Sequence, residues 1–335
     1  MTRKSLFTLL AFSVLLFSLS CGKSSSTESG AQKFTIAVIP KGTTHEFWKS
    51  IHAGAIKAAR ELTASGTEVN VIWKGPLRED DREQQIQVVE GFMSQNVSGI
   101  VLAPLDNRAL VRPVEEAIRA KIPTVIIDSA LDSKAITSFV ATDNRKGGML
   151  AADRMGEVLK GKGKVLLLRY MEGSASTAER EAGFMSEIKS KYPGIEVISS
   201  DQYAGATRDT AKRASENLLN RYGAEIQGIF TPNESSTAGM LLALQDIQRA
   251  GKVTFIGFDS SAAFTEALRN GQLSGIVVQN PMRMGYLGVQ TMVAYLRGQK
   301  VEPLIDTGVQ IVTPDNLDTP EVKALLNPPL AQYLN

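Results

Sequence analysis

From residue 33 onward, short apolar runs alternate with longer stretches in which apolar positions recur every three or four residues. Phe34-Thr35-Ile36-Ala37-Val38-Ile39, stopped by Pro40, opens the series. Runs of this length, bounded by Gly, Pro or Asp, read as buried strands, and the periodic stretches read as amphipathic helices. The pattern predicts strands near 34–39, 69–73, 98–103, 122–127 and 137–141, with helices near 46–64, 80–95, 107–120 and 145–160. A second series follows, with strands near 164–168, 195–199, 226–231, 253–258 and 274–279. Its helices fall near 177–191, 207–222, 235–250, 261–270 and 282–297. Strands and helices in strict alternation build parallel sheets covered on both faces. Ten strands exceed one such sheet of ordinary size. The fold class is therefore α/β, with two doubly wound parallel-sheet lobes of Rossmann-like type. Gly161-Lys162-Gly163-Lys164 punctuates the middle, and no short-period solenoid repeat is present.

The first 21 residues break the pattern. Arg3 and Lys4 precede an apolar run from Leu6 to Leu19, and small residues lead into Cys21. This is the layout of an export signal and stays out of the fold. Cys21 is the only cysteine, so an exported chain has no disulfide partner for it. Ser18-Leu19-Ser20-Cys21 resembles a bacterial lipobox, although Leu is more usual where Ser18 stands. An ordinary cleaved signal with a leftover cysteine is the plainer alternative. Residues 22–32, small and polar, read as a flexible tether.

The 335 residues are 43% hydrophobic and 21% charged, ordinary for a two-domain globular chain. A net charge of +2 gives no field that favours nucleic acid or an anionic membrane. No apolar run after residue 20 is long enough to span a bilayer.

In parallel sheets, ligands bind beyond the carboxyl ends of the strands. The residues expected there in the first half are Lys41 to Trp48, Ala103 to Asn107, Asp128-Ser129 and Thr142-Asp143-Asn144. In the second half they are Tyr170 to Gly173, Asp201-Gln202-Tyr203, Thr231-Pro232-Asn233-Glu234, Asp259-Ser260-Ser261 and Gln279-Asn280-Pro281. Carboxylates and amides pair with adjacent hydroxyls, and aromatic faces cover the C–H side of a sugar ring. The set suits a polyhydroxylated ligand. Plainer roles stay open for each member. Phe47 and Trp48 could be core residues at a helix start. Asp128, Asn233 and Asp259 could be helix caps. Arg180 could be a solvated helical charge.

Catalytic constellations are missing. His45-Glu46-Phe47-Trp48-Lys49 begins like a zincin motif but has Lys where the second His must stand, and His52 is seven residues from His45. The sequence contains no nucleophile elbow, no phosphate-binding loop and no dinucleotide fingerprint. No metal, no cofactor and no enzymatic activity are expected.

The ordered strand-end residues resemble the ribose/galactose type of periplasmic sugar-binding proteins, periplasmic binding proteins of type 1, which also resemble the ligand-binding core of lactose-repressor-type regulators. The resemblance runs from about residue 34 to about 315. It is carried by Phe47-Trp48, Ile126-Ile127-Asp128, Ala141-Thr142-Asp143-Asn144 with Gly147-Gly148, Ala178 to Phe184, Pro232-Asn233-Glu234, Gly257-Phe258-Asp259 and Gln279-Asn280-Pro281. It implies two lobes joined by a three-crossing hinge near 141–144, 279–281 and 303–307, with sugar between them. It also implies domain bounds: signal peptide 1–21, tether 22–32, an N-terminal lobe of 33–142 plus 280–304, a C-terminal lobe of 143–279 plus 305–320, and a tail of 321–335. By the same resemblance Phe47 and Trp48 cover a ring face, Asp128 binds hydroxyls and Arg180 donates a fork. Asn233, Asp259 and Gln279 supply further contacts. Lys41 and His45 stand where ribose binders place Ser and Asn, Ser129 where they place Arg, and Tyr203 matches an aromatic contact only loosely.

The function implied is an extracytoplasmic lipoprotein, held through Cys21. It would take a sugar or polyol to an ABC permease of the inner membrane, acting as a monomer and binding no nucleic acid. A sensory or chemotactic binding component would use the same pocket. A DNA-binding regulator would need a helix-turn-helix where the export signal stands.

Overall fold

The computed structural model describes residues 32–334. The export segment, Cys21 and the tether as far as residue 31 lie outside the described residues.

The first lobe is laid down by β1 (Lys33–Ile39), α1 (Glu46–Ala64), β2 (Glu68–Trp73), α2 (Arg82–Ser94), β3 (Gly99–Leu102), α3 (Val111–Arg119), β4 (Thr124–Ile127) and β5 (Ser138–Ala141). The second contains α4 (Asn144–Val158), β6 (Lys162–Leu167), α5 (Ala175–Lys191), β7 (Gly194–Ser199), α6 (Arg208–Tyr222), β8 (Gly228–Phe230), α7 (Glu234–Asp246), β9 (Thr254–Phe258), α8 (Ala262–Arg269) and β10 (Gly275–Gln279). Then α9 (Pro281–Leu296) and β11 (Leu304–Asp306) return to the first lobe, and β12 (Val309–Val312) and α10 (Pro320–Leu326) to the second.

Each lobe is one six-stranded sheet. The orders are β11-β5-β4-β3-β1-β2 and β12-β10-β9-β8-β6-β7, and all neighbours are parallel except β12 against β10. The strand period of two splits each core across its sheet. Ile36 and Val38 pack on one face with Ile51 and Ala55 of α1 and Met292 of α9. Ala37 and Ile39 pack on the other with Val89 and Phe92 of α2 and Val114 of α3. In the second lobe Leu166 and Ile229 meet Leu218, Leu241 and Phe264, while Val165 and Leu167 meet Met155 and Phe184.

Helices α4 and α5 touch backbone to backbone. A Cβ on Gly148 would lie 1.9 Å from the carbonyl oxygen of Arg180, and one on Gly183 would lie 2.1 Å from that of Arg145. No side chain fits at either position, and the contact fixes the helix that carries Arg180.

The chain passes between lobes after β5 and after β10. The third passage falls between Asp306 and Val309, beyond the bound drawn at 304, because Ile305 and Asp306 still pair with Val140 and Ala141. The stretch set apart as a tail is also partly structured. Val322 on α10 enters the second lobe's core, and Arg60 on α1 donates to the Gln332 carbonyl at 2.7 Å. Among the described residues no helix is long and apolar enough to cross a membrane.

Candidate functional site

The carboxyl ends of both sheets face one another, and the side chains that follow the strands meet in a small buried cavity. Lys41 and His45 follow β1, Asp128 follows β4, Arg180 projects from α5, Asn233 caps α7, Asp259 follows β9 and Gln279 ends β10. The lobes are in contact around this cavity. The Phe47 N–H donates to Glu234 Oε2 at 3.2 Å, and the Ser176 N–H donates to Ser129 Oγ at 3.0 Å.

Asp128 and Asp259 are a matched pair. Each follows the fourth parallel strand of its lobe in chain order, and each has a left-handed backbone, φ 62° and φ 68°. Such a conformation in a non-glycine residue is costly and clusters where structure serves a site. Here both residues line the cavity.

Every carboxylate in the cavity has a cation beside it. Asp128 Oδ2 lies 2.8 Å from Lys41 Nζ, and Glu79 Oε1 lies 2.6 Å from His45 Nδ1. Glu234 Oε1 lies 2.9 Å from Arg208 Nη2. Asp259 feels Arg180 and accepts from Gln279 Nε2 at 2.7 Å. Burial would lower His45, but the Glu79 carboxylate, with help from Glu234 and Asp259, raises it to about 9. Burial would raise Glu79, but His45, Lys41 and the Tyr170 hydroxyl bring it to about 2. Both partners are therefore charged from about pH 2 to about pH 9. Burial pushes Asp259 up to about 6 against the pull of Arg180 and Gln279. Charges that cancel in this way suit a neutral ligand, since an unpaired buried charge is costly.

Arg180 is 2% exposed, so it is not a solvated helical charge. Its Nε donates to Asn144 Oδ1 at 2.8 Å and its Nη1 to the Pro232 carbonyl at 2.9 Å, with the guanidinium 4.0 Å from the Phe258 ring. Gln279 Oε1 is buried with no protein partner among the described residues. An acceptor in that position suits a ligand hydroxyl. Asn233 lines the cavity but is also a cap: its side chain accepts from the Ser236 N–H at 3.3 Å and donates to Ser235 Oγ at 3.1 Å.

Two expected roles change. Trp48 borders the cavity yet is 2% exposed and belongs to the first lobe's core, and its indole N–H is committed to Glu79 Oε1 at 2.7 Å. Phe47, edge-on to it at 5.0 Å, is only partly buried and also lines the cavity. Tyr203 stands outside the cavity. It is 38% exposed and held under the Arg169 guanidinium at 4.6 Å, and Arg169 itself donates to the buried Glu181 carboxylate at 2.8 Å. Glu79 was missed altogether. Tyr170 and Glu234 stood among the strand-end groups without being singled out. Tyr170 Oη donates to Glu79 Oε2 at 2.5 Å across the cleft.

A family model described as a periplasmic binding protein domain matches residues 36–300. The chain belongs to the periplasmic binding protein family. The D-allose-binding periplasmic protein of Escherichia coli is 31% identical to this binding protein, over 80% of the chain and 86% of that relative. A ribose import binding protein of Bacillus subtilis is 28% identical over 86% and 90%. Among solved structures, a carbohydrate transporter solute binding protein from Agrobacterium radiobacter in complex with D-arabinose has a TM-score of 0.83 and 36% identity. It covers 88% of this binding protein and 99% of its own chain. An ABC transporter solute binding protein from Agrobacterium vitis with bound D-fucose has a TM-score of 0.82 and 35% identity, covering 88% and 100%. The two six-stranded lobes of this binding protein are those of the family fold.

Proposed function

We propose that this binding protein captures a neutral monosaccharide or polyol between its lobes and delivers it to an ABC importer. The observation that carries this reading is the meeting of strand-end groups from both sheets in one charge-balanced cavity, lined by Arg180 and by Gln279, whose buried Oε1 has no protein partner among the described residues. Lys41, His45, Phe47, Asp128, Arg180, Asn233, Asp259 and Gln279 form the sugar site. The relatives supply the ligand panel: D-ribose, D-allose, D-arabinose, D-fucose and xylitol. At 100 times its Kd a ligand adds about 2.7 kcal/mol to stability. One panel member is therefore expected to raise the melting temperature by several degrees at millimolar concentration. No shift with any member, nor with a wider set of hexoses and polyols, would sink the reading.

The reading extends to an exported lipoprotein. The apolar run ending in Cys21 is the support, and the tether after it would hold the lobes clear of a membrane. Fatty-acid labelling is expected in the wild type and absent in Cys21→Ser. Equal labelling of both, or of neither, removes the anchor.

A further inference from the structure

Glu79 carries a bond from every side. It stands in the loop between β2 and α2, six residues past the strand, and is almost fully buried. Oε1 takes His45 Nδ1 at 2.6 Å and Trp48 Nε1 at 2.7 Å, both from the first lobe. Oε2 takes Tyr170 Oη at 2.5 Å from the second. With Nδ1 held, the opposite nitrogen of the His45 ring has no protein partner among the described residues, and the ring borders the cavity.

We propose that Glu79 positions His45 for ligand recognition and couples that recognition to closure of the lobes. The inference rests on the sugar-binding reading and deepens it. His45, kept charged, offers Nε2–H as a cationic donor, which requires an oxygen acceptor on the ligand. A sugar with a hydroxyl or ring oxygen at that corner is accepted. One with hydrogen there leaves a buried charged donor unpaired, and one with an ammonium group meets like charge. Sites built to bond a ligand oxygen reject analogues lacking it by large factors. The Tyr170 bond exists only with the lobes together, so the group that orients His45 also registers closure.

The other groups around His45 are Glu234 and Asp259 from the second lobe, with Lys41, Asp128 and Arg180 farther round the cavity. Glu234 and Asp259 also favour the charged ring, but neither is hydrogen-bonded to it. Burial opposes them. Removing the Glu79 charge should therefore let the ring lose its proton near neutral pH.

The test uses the fact that the chain has two histidines. His52 stacks on Trp73 at 4.5 Å, and its half-burial lowers its pKa. Histidine labelled with 13C at Cε1 gives two resonances, assigned with His52→Gln. In wild type, His45 should remain charged past pH 8. In Glu79→Gln, it should titrate about two units lower or more. Wild type should bind the tightest sugar of the panel with little change between pH 6.5 and 8, whereas Glu79→Gln should lose about eightfold or more in affinity over that range. Tyr170→Phe should weaken binding about tenfold with the His45 titration unmoved. His45 titrating in Glu79→Gln within one unit of wild type overturns the proposal. So does a Tyr170→Phe affinity within twofold of wild type. If wild type binds no sugar, the sugar reading fails, and the proposal that rests on it falls with it. A misfolded Glu79→Gln leaves Glu79→Asp, which keeps the charge but shortens the reach and should retain a charged His45 while losing the Tyr170 bond.

Discussion

Arg180→Ala is expected to abolish tight sugar binding, by about 30- to 5,000-fold, in a protein that stays folded. Two of the guanidinium's three nitrogens are held by Asn144 and the Pro232 carbonyl, and its plane lies against Phe258. The remaining Nη2 is thus fixed as a donor without loss of further side-chain freedom. Truncation removes that donor and also changes Asp259. Arg180 is the main group pulling Asp259 down from the raised value that burial imposes. Without it, Asp259 takes up a proton near neutral pH and becomes a poorer acceptor. Arg180→Lys should recover only part of the loss, because an ammonium has no planar fork to reach all three directions. Calorimetric titration decides. Affinity of Arg180→Ala within threefold of wild type would place the site elsewhere.

Trp48→Ala is expected to act first on stability, costing about 3–5 kcal/mol in urea denaturation. The buried indole belongs to the apolar cluster that includes Ile51, Met284 and residues of the first sheet, so its loss leaves a void that a close-packed core cannot fill. Trp48→Phe should cost less in stability, because much of the volume remains. It still strips one donor from Glu79, so it should weaken sugar binding through His45. A Trp48→Ala protein as stable as wild type would mean that the ring is not a core element.

These two residues show what the sequence revealed and what it did not. The strand and helix series was legible because buried parallel strands are continuous apolar runs and their covering helices keep a 3.6-residue period. The two short edge strands, β11 and β12, were not, since Leu304–Asp306 and Val309–Val312 are only partly buried and too short to show a period. Asp128, Asp259 and Gln279 were legible because each immediately follows or ends a strand. Glu79 was not, because Arg78-Glu79-Asp80-Asp81-Arg82 reads as a solvated charge run. Only the fold turns that carboxylate inward while its neighbours Asp80 and Arg78 pair with each other outside. Trp48 lies in the region its position implied, at the border of the cavity, while its indole is buried in the core and bonded to Glu79. A helix start offers an aromatic residue to the cavity or to the core, and the period alone does not say which of two adjacent rings takes which side.

The three chain passages all lie at one edge of the paired sheets, beside β5, β11, β10 and β12. That edge is an axle. With strands about 4.8 Å apart, β1 and β6, each three strands away, stand about 14 Å out along the swinging arms. Gln279 and Asn144 sit at that edge, so a swing of the arms about it would move them little, and with Asp259 they are expected to meet a sugar first. The Tyr170–Glu79 and Ser176–Lys41 bonds lie toward the rim, so in such a swing they would form last. Encounter and residence are thereby expected to divide between two sets of residues: stopped-flow binding should show slower capture for changes at the axle, and nearly unchanged capture with a shorter stay of the sugar for changes at the rim.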